Sequence, residues 1–149
     1  MRAAPSLRAP RSTLVLLVDD NAHGLLARRT VLEELGYKVI SAASGALALE
    51  LAEKHEFDLI VTDYRMPAMD GIVLIQTLRQ RGFKKPIILL SGFLAHLGLT
   101  EKSTGADLLI QKCSSEMDQL VRGVKRLLNA PKKPAASQGR ESGKRSRAV

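Results

Sequence analysis

Five short apolar runs recur along the chain, and each is followed by a stretch in which apolar residues return every three or four positions. Runs of this length predict buried strands, and the stretches after them predict amphipathic helices. The predicted strands cover residues 14–18, 37–41, 59–63, 86–90 and 108–111. Regular alternation of strand and helix predicts a parallel sheet with helices on both faces, joined by right-handed crossovers.

Residues with capping chemistry mark the ends of the predicted helices. Ser44, Asp70 and Ser115 stand before the second, third and fifth helices, where a side-chain oxygen can accept a backbone N–H. Gly36 and Gly82 stand after the first and third helices, where a left-handed residue commonly closes a helix.

Two helices carry less regular patterns. In the second helix, one apolar side is predicted, formed by Leu47, Ala48, Leu51 and Ala52. Between residues 93 and 105, Thr100 and Ser103 are among the residues that interrupt the apolar spacing, so we expect a short, mobile fourth helix. Gly24, in the first turn of the first helix, weakens that helix by roughly 1 kcal/mol relative to alanine.

Composition places the basic charge at the two ends of the chain. The 149 residues allow one ordinary domain, and their formal net charge is +8. Residues 13–130 hold 14 basic and 14 acidic side chains. The predicted domain is therefore neutral, and we do not expect it to present a basic surface that binds nucleic acid. We expect residues 1–12 to form a disordered basic arm and residues 131–149 a disordered basic tail. That tail is too short for an attached DNA-binding domain.

Membrane insertion and disulfide formation are both disfavoured by the sequence. No apolar run approaches the roughly 20 residues that span a bilayer. The single Cys113 has no internal disulfide partner, which suits a reducing compartment, so we expect a cytoplasmic protein. We interpret Cys113 as a small, partly buried residue rather than a redox centre.

Polar side chains collect at the carboxyl ends of four predicted strands, where open α/β sheets bind their ligands. They are Asp19 and Asp20, Asp63, Ser91 and Lys112. Three crowded carboxylates repel one another unless a cation offsets them, and hard oxygen ligands suit Mg²⁺. With Lys112 and Ser91 available to an anion, Asp63 can act as the nucleophile that becomes an aspartyl phosphate.

These residues, with the stretch DYRMPAMDG that begins at Asp63, resemble the receiver domain of two-component response regulators over residues 13–129. The resemblance implies a flavodoxin-like (βα)5 doubly wound parallel sheet with strand order 2-1-3-4-5. It implies that a histidine kinase or histidine phosphotransfer protein phosphorylates Asp63. It also implies that Asp20 binds Mg²⁺ directly, that Asp19 does so through water, and that the backbone carbonyl of Arg65 supplies another ligand.

The resemblance further implies a switch that reaches a downstream protein. Lys112 would pair with the phosphoryl group, while Ser91 would move toward it and reposition the fourth helix and fifth strand. The output surface would then be the face of the fourth helix, fifth strand and fifth helix. We expect a single-domain regulator, not an enzyme in its own right, that is a monomer or a weak phosphorylation-dependent dimer and assists its own phosphorylation and dephosphorylation.

Three positions depart from the pattern of these receivers. Cys113 stands where a proline in a cis peptide bond usually follows the lysine, so we expect trans geometry or local strain. Leu109 replaces the usual aromatic switch residue, so ring rotation cannot be the readout. Phe93 and Arg65 flank the phosphorylation site, and from them we hypothesise restricted water attack and a long-lived phosphoryl group.

Two other functions are weighed against this one. The departures at Cys113 and Leu109 support a degenerate receiver that binds partners without phosphorylation, and the intact acid pair with Asp63 opposes it. A nucleotide-binding domain or hydrolase on the same fold is disfavoured. No glycine-rich phosphate loop follows the first strand, and Arg65 stands where such a hydrolase would carry a second carboxylate.

Overall fold

The structure is a computed structural model, described here for residues 12–92 and 97–129. Nearly all of the predicted basic arm, the whole basic tail and Phe93 lie outside these residues.

Five parallel strands form one sheet in the order β2-β1-β3-β4-β5, which is the strand order 2-1-3-4-5 that the resemblance implies. Each strand is short, because an apolar run of four or five residues is soon ended by a polar or turn-forming residue. The strands are β1 Leu14–Val18, β2 Lys38–Ala42, β3 Leu59–Asp63, β4 Ile87–Ser91 and β5 Leu108–Gln111.

Helices connect successive strands, as the alternating pattern predicts. The helices are α1 Ala22–Glu34, α2 Gly45–Lys54, α3 Gly71–Gln80, α4 Glu101–Thr104 and α5 Glu116–Asn129. No helix within residues 12–92 and 97–129 is long and apolar enough to cross a membrane.

The central strands are buried on both faces, which is why they read as continuous apolar runs rather than alternating ones. Neighbouring residues of a strand point to opposite faces of the sheet and so enter different cores. Leu16 and Ile60 pack with α2 and α3, whereas Leu17 and Val61 pack with α1 and α5. The sheet therefore lies between α1 and α5 on one face and α2 and α3 on the other, with the short α4 beside α3.

Most of the predicted helix caps are confirmed. The Asp70 carboxylate accepts the Val73 N–H at 2.9 Å, and the Ser44 hydroxyl accepts the Leu47 N–H at 3.1 Å. Gly36, at φ 99°, follows α1 in the left-handed conformation. Ser115 is the exception: its hydroxyl accepts a hydrogen bond from the Gln119 side chain at 2.9 Å rather than from a backbone N–H of α5, so the predicted cap is not formed.

Several boundaries and faces differ from the predictions. β2 and β4 each lie one residue later, because hydrogen bonding to a neighbour, rather than apolar character, decides where a strand ends. Leu47 is 39% exposed, since Ala48 and Leu49 take the core-facing positions of α2.

The prediction that Ser103 interrupts a helix is wrong, whereas Thr100 does stand outside the helix, as the N-cap of α4. Their side chains and backbone N–H groups bond reciprocally, at 3.0 Å in each direction, and this capping box begins α4. Gly105, at φ 86°, ends α4 after a single turn, so the short length is as expected.

Candidate functional site

Three carboxylates meet at the carboxyl ends of β1 and β3. Val18 is in register with Thr62, so Asp19 and Asp63, the next residues, lie side by side. One oxygen atom from each of Asp19, Asp20 and Asp63 lies within 4.8 Å of the others. Asp19 and Asp63 are 2% and 5% exposed, whereas Asp20 is open to solvent. Two carboxylates of the site, those of Asp19 and Asp63, are thus buried, and the carboxylate of Asp20 is accessible from solvent.

Lys112 reaches this cluster from the adjacent part of the sheet. Its ammonium forms an ion pair with Oδ1 of Asp63. Its backbone N–H donates to the carbonyl of Ser91 at 2.9 Å, which holds the residue after β5 against the end of β4. The described peptide bonds include no cis bond, so trans geometry holds at Cys113 without the usual proline.

The pKa of Asp63 is raised above its ordinary value, and burial is the largest cause. The hydrogen bond from Lys112 opposes this increase, the neighbouring Asp19 carboxylate adds to it, and the more distant Arg28 lowers it. Asp63 is therefore held in a setting where a positive ion, or loss of its own charge, relieves electrostatic cost.

Ser91 and Arg65 border the same region in different ways. Ser91 is the last residue of β4 and is 1% exposed. Arg65 is exposed and lines an open cavity of about 710 Å³ together with Asp20, Tyr64 and Leu97. The cavity therefore opens beside Asp20, the solvent-exposed member of the acidic cluster.

The loop after Asp63 is held so close to the strand that position 71 must be glycine. The Gly71 N–H donates to the Tyr64 carbonyl at 2.8 Å. A Cβ at position 71 would lie 2.3 Å from the Asp63 carbonyl oxygen and 2.9 Å from Cδ1 of Leu89. Ala68 in the same loop has φ 68°, which is uncommon for a residue with a side chain. The tight loop fixes the position of Asp63.

Arg28 is a site residue that the sequence predictions missed. Its Nη1 donates to Oδ2 of Asp19 at 2.7 Å, and its Nη2 lies 2.7 Å from Oε2 of Glu116. The side chain is only 9% exposed. Burial lowers the pKa of Arg28, but hydrogen bonds to Asp19 and Glu116 outweigh it and raise the pKa.

A signal for Arg28 exists in the sequence. Leu25, Arg28 and Leu32 follow helical spacing, so an arginine lies among the inward-facing leucines of α1. A buried arginine needs carboxylate partners, and Asp19 at the end of β1 is near in sequence. Glu116, 88 residues away, could not have been found in this way.

Cys113 is exposed, so the prediction of a partly buried residue is wrong. Its sulfur lies 3.3 Å from the Ser115 hydroxyl. That hydrogen bond lowers the pKa of Cys113. Leu109 is half-buried against the core. Phe93, the other residue invoked for a long-lived phosphoryl group, lies outside the described residues.

The donor set suits a divalent cation. Three carboxylates are the hard oxygen ligands that Mg²⁺ prefers, and the exposed Asp20 leaves space for the waters that Mg²⁺ usually keeps. Within residues 12–92 and 97–129, this is the group of acids close enough together to hold such an ion.

Sequence comparison identifies relatives of the same kind. The profile of the family described as "Response regulator receiver domain" matches residues 15–125. The chain is 38% identical over 120 residues to the sensor histidine kinase GacS of Pseudomonas protegens. This alignment covers 74% of the chain and 12% of GacS. It is 40% identical over 77 residues to the transcriptional regulatory protein PhoP of Bacillus subtilis, covering 52% of this chain and 32% of PhoP.

Solved structures give the same answer for the fold. The receiver domain of a Francisella response regulator matches with a TM-score of 0.74 and 32% identity, over 81% of this chain and all of that domain. The response regulator TrrA of Thermotoga maritima, solved in complex with Mg²⁺ and BeF, matches with a TM-score of 0.71 and 29% identity, over 78% of this chain and 99% of TrrA. This chain spans only about an eighth of the sensor kinase, so the comparisons describe one domain.

Proposed function

The chain belongs to the response regulator receiver domain family, and on this premise we propose that Asp63 accepts a phosphoryl group from a histidine kinase or a histidine phosphotransfer protein. A carboxylate oxygen of Asp63 attacks phosphorus, the bond from phosphorus to the donor imidazole nitrogen breaks, and the imidazole leaves. The observation that carries this proposal is the convergence of three carboxylates and Lys112 at one end of the sheet.

Each site residue has a distinct task in this transfer. Asp19, Asp20 and Asp63, with the Arg65 carbonyl, would hold Mg²⁺, and the bound ion would offset the negative charge of the phosphoryl oxygens. Lys112 orients Oδ1 of Asp63 before the reaction and pairs with the phosphoryl group afterwards.

Ser91, at the end of β4, donates its hydroxyl to the same phosphoryl group. The protein is thus a phosphoacceptor that assists its own phosphorylation and dephosphorylation, rather than an enzyme acting on other substrates.

Phosphorylation is proposed to change a partner-binding face on α4, β5 and α5. A groove of about 340 Å³ runs between β5 and α5 and is lined by Leu109, Arg122 and Arg126 among others. Movement of Ser91 toward the phosphoryl group would shift β4 and its neighbour β5, because the two strands are paired at Ser91 and Gln111. The result would be a downstream protein contact or a weak dimer, which sedimentation before and after phosphorylation would measure.

The test is labelling with acetyl phosphate, with and without Mg²⁺, followed by intact mass measurement. Wild type should gain one phosphoryl group only with Mg²⁺, and hydroxylamine should remove it because an acyl phosphate is labile to that nucleophile. Asp63→Asn should gain none, while Asp118→Asn, at an exposed acid in the first turn of α5, should behave as wild type. Labelling of Asp63→Asn to the wild-type level would contradict the proposal.

One observation favours a phosphorylation-independent interaction module as the second candidate. Arg28 already pairs with Asp19, which offsets part of the negative charge that would attract an ion. Under this alternative, wild type would show neither Mg²⁺ binding nor labelling, yet would still bind its partner.

The hypothesis of a long-lived phosphoryl group has its own test. The phosphodonor is removed and the decay of the labelled protein is followed, and fast loss of the label would refute the hypothesis.

A further inference from the structure

Arg28 places a positive charge inside the acidic site, where the sequence predicts only Lys112 and a metal ion as cations. Each half of its guanidinium has a carboxylate partner. Nη1 donates to Oδ2 of Asp19, while Nε and Nη2 lie 2.9 Å and 2.7 Å from the same oxygen of Glu116. Asp19 and Glu116 come from opposite ends of the chain, so Arg28 joins the end of β1 to the first turn of α5.

The site is built to hold this guanidinium. A Cβ at position 24 would lie 3.0 Å from Nη1 of Arg28 and 3.0 Å from Oδ2 of Asp19, which is tighter than ordinary contact. Gly24 therefore leaves the space that the ion pair uses, although glycine weakens the first turn of α1. The other oxygen of Asp19 accepts the Asn21 N–H at 2.9 Å, so Asp19 is fixed from both sides.

The charged groups around Arg28 carry a net negative charge that a divalent cation would neutralise. Four carboxylates and two cations are linked here by ion pairs or by carboxylate oxygens within 4.8 Å of one another, and together they carry two excess negative charges. The six groups are Asp19, Asp20, Asp63, Glu116, Arg28 and Lys112. Neutral replacement of any one of them therefore changes the attraction for Mg²⁺ in a direction that its sign fixes.

We propose that Arg28 is a positioning residue shared between Asp19 and Glu116, and that this sharing sets the Mg²⁺ affinity of the site and couples it to the first turn of α5. The inference rests on the metal site proposed above. Arg28 repels the ion and competes with it for Asp19, whereas Glu116 draws the guanidinium away from Asp19. By linkage, an ion that engages Asp19 must weaken the Asp19 contact of Arg28 and shift the guanidinium toward Glu116.

Opposite effects of two neutral substitutions test this proposal. Arg28→Met removes the repelling charge and should tighten Mg²⁺ binding by about tenfold, while Glu116→Gln leaves Arg28 to Asp19 alone and should weaken it by about threefold to tenfold. Both variants lose stability, because each leaves a carboxylate or the guanidinium with fewer partners. A purely structural role would make Mg²⁺ binding weaker or unchanged in both.

The measurement is isothermal titration of each folded variant with MgCl₂, without any phosphodonor. The neighbouring pair in α1 gives a matched control, since Arg29 and Glu33 form an exposed ion pair at 3.0 Å. Arg29→Met should retain the wild-type affinity. If Arg28→Met does not fold, Arg28→Gln removes the same charge while keeping a hydrogen-bond donor, and should also tighten Mg²⁺ binding.

The outcomes separate this inference from the proposal on which it rests. Tighter binding in the Arg28 variant with weaker binding in Glu116→Gln supports the sharing of Arg28. Shifts of the same sign, or no shift, overturn it, while the metal site itself stands if wild type binds Mg²⁺ and Asp20→Asn does not. Failure of wild type to bind Mg²⁺ overturns both.

Discussion

Two arginines bind several partners at opposite ends of the sheet, and their partners differ in kind. Arg28, at the carboxyl ends of the strands, bonds two carboxylates. Arg79, at the amino ends, donates to the carbonyls of Gly105, Phe83 and Lys85 at 2.8–3.1 Å, and pairs with Asp107 at 2.8 Å.

The two ends of the sheet differ in charge balance. Around Arg79 each charge has one opposite charge, and Asp107 also accepts the Ile87 N–H that begins β4. Such an arrangement stabilises the fold and has no use for an added ion. Around Arg28 the negative charges exceed the positive ones, so this end carries a net negative charge that a bound cation can neutralise. The groups that an arginine contacts therefore decide whether its surroundings are electrically balanced, as at Arg79, or remain negative, as at Arg28.

The largest effect should come from removing the arginine at the amino end. Arg79→Met leaves three carbonyls without the guanidinium donor and Asp107 with only the Ile87 N–H, and should lower the free energy of unfolding by about 3 kcal/mol. Urea denaturation measures this loss. Mg²⁺ affinity should remain that of wild type, and a change in it would contradict the separation of the two ends.

Mg²⁺ should stabilise the protein by a comparable amount through the carboxyl end alone. At a free Mg²⁺ concentration of 100 times Kd, the expected gain is about 2.7 kcal/mol. Arg79→Met should show the same gain, measured by urea denaturation with and without MgCl₂. Asp20→Asn should lose most of it, because Asp20 is the exposed ligand of the cluster. An equal gain in Asp20→Asn would place the ion elsewhere.

Gly71→Ala should disturb the carboxyl end through its backbone. The added Cβ would overlap the Asp63 carbonyl, so we expect a loss of about 2 kcal/mol in the free energy of unfolding and slower labelling by acetyl phosphate. Gly92→Ala is the matched control, because its Cβ would meet no atom within 4 Å. Equal losses of stability in both variants would refute the argument from close approach.

The smallest effect concerns pH. Burial raises the pKa of Asp63, so without Mg²⁺ the folded protein loses stability as pH rises from about 4 through that higher pKa. The charges of Lys112 and Arg28 lower this pKa and the charge of Asp19 raises it, and the net change is still an increase.

Asp63→Asn removes the titration, so at neutral pH the variant should be more stable than wild type. That advantage should vanish below about pH 4, where wild-type Asp63 is protonated in both states. Thermal unfolding across this pH range checks the sign, and a variant less stable than wild type at neutral pH would contradict it.

Apolar periodicity and capping residues predicted the type and order of the described strands and helices, because both act over a few positions of chain. The sequence also predicted that Asp19, Asp20, Asp63 and Lys112 lie at one end of the sheet, because parallel strands have their carboxyl ends at the same edge. Ser91 followed for the same reason.

Packing between distant elements sets which groups are in contact. The bridge from Arg28 to Glu116 depends on how α1 and α5 pack on one face of the sheet, and no local pattern contains that information. The exposure of Leu47 and Cys113 was decided in the same way, by the neighbours that occupy the core positions first. Local propensity fixes what an element is, whereas packing between distant residues fixes which charges share one site.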